Sequence, residues 1–234
     1  MQALLGSVLE VLFPPSCSAC GRSSASPVCS VCEGSLPLLR GPICARCGKP
    51  TAVRVSSCRD CAGLDGGLAA VRSAGLHTGG LREIIHSFKY GRRPDLASFL
   101  GNLAVKAASG HLYRPDMITF IPLWPAQERE RGYNQSRLLA LEIGRRMGIP
   151  VAPLLSKKRK TAPQNSLPLK SRRRNLRDAF AVSRRADISG SSILLVDDVF
   201  TTGSTLSEAA KSLRRSGAGR VDGLTVARAP KELF

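Results

Sequence analysis

Two groups of residues in this sequence have the types and spacing to do chemistry. The first is the stretch "ILLVDDVFTTGST" at residues 193–205. Four apolar residues run into Asp197 and Asp198, and Thr201, Thr202, Gly203, Ser204 and Thr205 follow. Adjacent carboxylates accept hydrogen bonds from vicinal hydroxyls. A turn rich in hydroxyls that opens a helix offers backbone N–H groups to an anion, and Gly203 lets a phosphate approach closely. The pair is what a ribose 5-phosphate requires: acids for the 2′- and 3′-hydroxyls, a cradle for the phosphate. The second group is eight cysteines in four Cys-x-x-Cys pairs: Cys17/Cys20, Cys29/Cys32, Cys44/Cys47 and Cys58/Cys61. Two such knuckles supply the four thiolates of a tetrahedral zinc site, so the set predicts two structural Zn²⁺ ions. Spacing leaves open whether consecutive pairs share an ion or pairs one and three do. A disulfide scaffold is disfavoured because the chain reads as cytoplasmic, where thiols stay reduced.

These residues need a scaffold, and the pattern after residue 63 supplies an alternating one. "LAAVRSAGLH" reads as a strand. "LREIIHSFKYG" places Leu81, Ile84, Ile85 and Phe88 on one helical face, and "DLASFLGNLAVKAA" does the same with Leu96, Leu100, Leu103 and Ala107. "MITFIPLW" is a strand ended by prolines, and "QSRLLALEIGRRMG" is a helix stopped by Gly148 and Pro150. Residues 193–196 form a buried strand that delivers the two acids to its carboxyl end. The next helix turns Leu206, Ala209, Ala210 and Leu213 inward, with Gly217 as its cap, and "VDGLTVAR" closes the set. Strands alternating with helices predict an α/β fold with a parallel sheet, which binds ligands beyond the carboxyl ends of its strands. Residues 151–193 lack clear periodicity and read as a functional or disordered loop.

Composition narrows the function classes. The chain carries 35 Lys plus Arg against 17 Asp plus Glu, a formal charge of +18. Two zinc tetrathiolates of charge −2 each lower this to about +14, so the basic excess survives. It fits polyanionic partners, or a solvated basic surface. No apolar run approaches the ~18–20 residues needed to span a bilayer. The first 16 residues read as a short amphipathic helix closed by Pro14 and Pro15, not as a signal peptide.

Residues 193–205 resemble, at every position, the phosphoribosyl pyrophosphate (PRPP) signature of type I phosphoribosyltransferases. More of the chain resembles the ComF family, phosphoribosyltransferase-like proteins with an N-terminal double zinc ribbon. The match includes the four Cys-x-x-Cys pairs, "FKYG", "IPLWP", "ERGYNQS", "TAPQNSL", Arg172, Asn175 and "DAFAV". The resemblance implies a zinc-ribbon module at residues 1–65, with an N-terminal helix, and a phosphoribosyltransferase-like domain at 66–234. It implies a PRPP site made of Asp197, Asp198 and residues 201–205, with Asp197 and Asp198 central to any catalysis. It places a pyrophosphate loop at residues 122–135, with Arg129 and Arg131 as contacts. Family members often carry more basic residues where Ala126, Gln127 and Glu128 stand here, which weakens that grip. The basic segment 157–177 falls where such enzymes keep a lid, with Gln164 and Arg172 as contacts. Lys89 is a site candidate or a snorkelling helix residue; His77, His86 and His111 read as surface or core.

The reaction so implied displaces pyrophosphate from C1 of PRPP, with Mg²⁺ chelated by PRPP, toward an acceptor that no motif here names. The alternatives are a non-catalytic protein binding single-stranded DNA with the DNA-uptake machinery, and a PRPP-sensing regulator. At 5% aromatic residues, a base-stacking platform is thinly supplied. Related transferases are often homodimers.

Overall fold

A computed structural model describes residues 15–64, 67–110, 112–159, 176, 178–183 and 187–230. The expected N-terminal helix, His111, Gln164 and Arg172 lie outside the described residues, as does most of the expected lid. In chain order the elements are α1 (Ser30–Gly34), a 3₁₀ turn (Arg59–Gly63), β1 (Leu68–Leu76), α2 (Gly79–Tyr90), α3 (Leu96–Ala108), β2 (Met117–Phe120) and α4 (Pro125–Arg131). They continue with α5 (Gln135–Met147), β3 (Leu155–Lys157), β4 (Phe180–Val182), β5 (Ser192–Phe200), α6 (Ser204–Arg215) and β6 (Arg220–Arg228).

Four strands form one parallel sheet in the order β1-β6-β5-β2. β5 is central, and its side chains alternate between faces as the strand period requires. Leu194 and Val196 pack with Leu81, Phe88, Leu100 and Leu139 of α2, α3 and α5. Ile193 and Leu195 pack with Leu206, Ala209 and Leu213 of α6, and with Leu155 and Phe180 of the β3–β4 hairpin. A strand buried on both faces reads as an unbroken apolar run, which is why residues 193–196 were legible as one.

The structure departs from the sequence expectations at several points. β5 does not stop at Val196: Asp197 pairs with Thr225 and Val199 with Ala227, so the acids lie within the strand's last turns of pleat. On α3 the buried small residues are Gly101, Ala104 and Ala108, while Ala107 is half-buried. α6 is capped by Ser216, with Gly217 following at φ 101°. Within residues 122–135, expected as a loop, a short helix, α4, forms because Pro125 sits at its first position with its φ already helical.

The free edge of β1 is covered by the cysteine-rich segment. Leu39 N–H donates to the Ala74 carbonyl at 2.9 Å, Leu76 N–H to the Pro37 carbonyl at 2.8 Å, and Val71 N–H to the Arg46 carbonyl at 2.7 Å. These bonds satisfy an edge that would otherwise be open to pairing. Among the described residues, no helix is long and apolar enough to cross a membrane.

Candidate functional site

The cysteines resolve into two quartets of consecutive pairs: Cys17, Cys20, Cys29 and Cys32, and Cys44, Cys47, Cys58 and Cys61. The interleaved arrangement is excluded. All four sulfurs of each quartet lie within 4.8 Å of one another. In the second quartet, Cys44–Cys61 is 3.4 Å, Cys47–Cys58 3.5 Å and Cys58–Cys61 3.7 Å. Zinc–sulfur bonds of about 2.3 Å require sulfur edges of about 3.8 Å in a tetrahedron, so the donors fit zinc. The thiols' electrostatics agree. Burial opposes ionisation of Cys17, yet N–H groups of Cys29, Ala19 and Cys20 outweigh it and hold its pKa at about 6. Its neighbour Cys32 is pushed up to about 12, chiefly by the Cys20 and Cys29 thiols. Four thiolates this close need a cation among them, and each quartet has the charge and geometry of a structural zinc site.

The second candidate centre lies at the carboxyl end of β5. Asp198 is buried, at 5% exposure, and its Oδ2 is 2.9 Å from Lys89 Nζ at the end of α2. Burial alone would lower the Lys89 pKa; the charge and hydrogen bond of Asp198, together with the charge of Asp197, outweigh it and raise the pKa. Asp197 is half-buried. Its Oδ1 accepts from Ser136 Oγ at 2.8 Å and from the Asp198 N–H at 2.9 Å. Burial, and after it the Asp198 charge, push the Asp197 carboxyl up to about 7, against the pull of Lys89 and the Ser136 hydrogen bond. Lys157, on β3, is drawn down by burial while the charge of Asp197 holds it up. His77 is lowered by burial and then by the charge of Lys89, against the pull of Asp198.

Past the acids, β5 ends at Phe200 and the chain turns through residues 201–203 into α6. Gly203 is the N-cap at φ 78°, a left-handed conformation. A Cβ there would stand 2.7 Å from Leu64 Cδ2 and 2.9 Å from two ring carbons of Phe200, so only glycine fits. Thr202 Oγ1 and Ser204 Oγ are 2.7 Å apart, and Thr202 Oγ1 accepts the Ser204 N–H at 3.3 Å. Thr201, Thr202 and Thr205 are half-buried.

The sequence reading assigned residues 122–135 to a pyrophosphate loop, and "GYNQS" at 132–136 runs through its end. Its described contacts form a clamp. The Tyr133 hydroxyl donates to the Phe88 carbonyl of α2. Asn134 Nδ2 donates to the Ile121 carbonyl beyond β2 at 3.1 Å, while its Oδ1 caps α5 by accepting the Arg137 N–H at 3.1 Å. Ser136 then reaches Asp197. One short motif therefore ties α2, β2 and β5 together at the site. Ser136 was not singled out from sequence, although a run of three polar residues beside an apolar helix face was the available signal. Arg131 bonds Gln135 Oε1 and stacks with its guanidinium carbon 5.0 Å from the Tyr90 ring centre. Arg129 is exposed on the same helix.

Comparisons with known proteins agree with both centres. Residues 8–62 match the double zinc ribbon domain, and residues 134–233 match the phosphoribosyl transferase domain. The chain is 33% identical over 200 residues to the DNA utilization protein YhgH of Salmonella typhimurium, covering 83% of this chain and 87% of that protein. It is 30% identical over 209 residues to competence protein F of Haemophilus influenzae, covering 86% and 90%. It is 29% identical over 213 residues to competence protein ComFC of Bacillus subtilis, covering 86% and 84%. With a double zinc ribbon docked along a parallel sheet of phosphoribosyltransferase type, and relatives of this identity over most of its length, the chain belongs to the ComF family.

Proposed function

We propose that this chain binds Mg-PRPP at the carboxyl end of β5 and transfers its 5-phosphoribosyl group to an acceptor, with release of pyrophosphate. The observation that carries this reading is the junction of β5 and α6. It joins two acids to a glycine-capped hydroxyl turn in one rigid unit, with a lysine against the acids. Asp197 and Asp198 accept the ribose 2′- and 3′-hydroxyls, and residues 201–205 hold the 5′-phosphate at the start of α6. In transfer the bond from C1 to the pyrophosphate oxygen breaks and a bond from C1 to the acceptor forms. The acceptor's proton leaves with it, and negative charge collects on the pyrophosphate. Arg129 and Arg131 are the proposed groups meeting that charge, together with Gln164 and Arg172 of the basic segment. Mg²⁺ arrives chelated to PRPP and supplies further charge neutralisation. Lys89 offsets the paired acids before ligand arrives. The proposed division of labour places structural zinc in residues 1–65 and ligand chemistry in 66–234.

A second reading is favoured by the formal charge of +18 and by relatives named for DNA utilization and competence. In it the chain binds single-stranded DNA during DNA uptake, with PRPP as a sensed ligand or none. The discriminating experiment is calorimetry with Mg-PRPP on the wild type and on Asp197→Ala/Asp198→Ala, paired with pyrophosphate release across a panel of acceptors. Equal affinity in both proteins sinks the ribose-diol assignment. Binding without release from any acceptor favours the sensor. Salt-sensitive binding of single-stranded DNA with no PRPP affinity favours the DNA reading.

A further inference from the structure

We infer that the second zinc ribbon is a working part of the phosphate turn, so that metal at Cys44, Cys47, Cys58 and Cys61 and ligand on residues 201–205 stabilise one another. The inference rests on the PRPP reading for the identity of the ligand, but not for the coupling itself.

The two ribbons back opposite faces of the sheet. Cys17, Val28 and Leu36 of the first belong to the core that holds α2, α3 and α5. Cys44, Cys47, Cys61 and the adjoining Leu64 belong to the core that holds Phe200, Leu206 and Ala209. Two short routes then run from the second quartet to Gly203. Along the first, Leu64 N–H donates to the Cys61 carbonyl at 3.0 Å. Arg46, inside the Cys44/Cys47 knuckle, donates Nη2 to the Leu64 carbonyl at 3.2 Å. Leu64 is thus tied to both knuckles that share one metal, and its side chain lies over Gly203. Along the second, buried Arg228 at the end of β6 donates Nη1 to the Cys47 carbonyl at 2.8 Å. Its guanidinium carbon sits 5.4 Å from the Phe200 ring centre, and that ring forms the other wall around Gly203.

Gly203 is gripped between Leu64 and Phe200, and both walls lead back to the same tetrathiolate. The conformation of Gly203 sets where the first N–H groups of α6 point. A ribbon without metal releases both knuckles, and with them the packing that fixes this residue. Coupling of this kind is reciprocal: if metal favours the ligand-ready turn, ligand must retain the metal. The contacts of the first ribbon run instead to α2 and β1, through Ser87 Oγ to the Ser18 carbonyl at 3.4 Å and through Ala74 to Leu39.

The test uses the full-length, zinc-loaded protein. Hydrogen exchange of the segment 200–207, without ligand, is compared among wild type, Cys58→Ser, Cys20→Ser and Leu64→Ala. Exchange should quicken in Cys58→Ser and in Leu64→Ala, which keeps all eight zinc ligands, and stay at the wild-type rate in Cys20→Ser. Zinc release to a colorimetric chelator is then followed with and without Mg-PRPP. The ligand should slow, on the order of 5-fold or more, only the phase that is missing in Cys58→Ser. Unchanged exchange in both Cys58→Ser and Leu64→Ala overturns the coupling. So does Mg-PRPP that binds by calorimetry yet leaves both release phases alone. Quickened exchange with no calorimetric signal for Mg-PRPP upholds the coupling and removes only the ligand's identity.

Discussion

Replacing Asp197 by Asn should make the ligand-free protein more stable, and by an amount set by pH. The carboxyl is raised from 3.8 to about 7, chiefly by burial and then by Asp198. An acid with a raised folded pKa binds more protons folded than unfolded between those values. Wild-type stability therefore falls as pH climbs through that window and levels off above about 7. A shift of about 3 units at about 1.4 kcal/mol each sets a ceiling near 4 kcal/mol. Because Asp197 is only half-buried, solvent screens part of it, leaving about 2–4 kcal/mol. Asn keeps the shape and an acceptor oxygen for the Ser136 hydroxyl and the Asp198 N–H, while removing the charge. The assay is urea denaturation of both proteins at about pH 4, 6 and 8, with Mg-PRPP calorimetry at the highest. The stability difference should be near zero at the lowest pH and largest at the highest, while ligand affinity falls. A difference that does not vary with pH, or an Asn variant less stable throughout, refutes the reasoning.

Ser136→Ala removes the hydroxyl that holds Asp197 Oδ1. A hydrogen bond to a charged group contributes about 1.5–3 kcal/mol, so Mg-PRPP should bind about 10- to 100-fold more weakly. The pH at which binding appears should move up and Ser136→Thr should restore both; an unshifted pH profile counts against a positioning role. Lys89→Met strands the buried Asp198 carboxylate and should cost about 3 kcal/mol by denaturation. Asp198→Asn in the same background should recover most of it, and a Lys89→Met protein as stable as wild type denies the ion pair any weight. Gly203→Ala combines a left-handed φ with a Cβ pressed on Leu64 and Phe200. About 2–4 kcal/mol of lost thermal stability is expected, with phosphate binding lost alongside; a neutral substitution contradicts the packing described.

The fold and half of the site were legible because their signals are local. The apolar run 193–196, the acids and the hydroxyl turn are contiguous, and each Cys-x-x-Cys knuckle is four residues long. What escaped is non-local. Ser136 and Asp197 are 61 residues apart, and Arg228 and Cys47 are 181 apart. Nothing in either neighbourhood announces the partner. Polar residues also read as solvated by default, yet Asn134, Gln135 and Ser136 are 3%, 6% and 1% exposed. Their burial follows from partners on other elements. Lys89 was ambiguous for the same reason: it follows the buried Phe88 on α2, where a long stem reaching solvent is the ordinary outcome. Only the position of Asp198 turns it inward.

Why two acids stand side by side in so basic a chain follows from the strand that carries them. Neighbouring residues on β5 point to opposite faces, so adjacency places one carboxylate toward each side of the sheet. Asp198 faces the side of α2 and meets Lys89. Asp197, on the other register, feels Lys157 from the β3–β4 hairpin, while Ser136 reaches it from the start of α5. In the proposed PRPP complex, a vicinal diol above the strand end bridges the two. Holding that geometry requires both faces to be fixed relative to β5. Each face carries one cysteine quartet in its core, the first behind α2 and the second behind α6 and the hairpin. Removing either metal should disturb the acid on its own side before the other, with Lys89–Asp198 answering to the first quartet and the phosphate turn to the second.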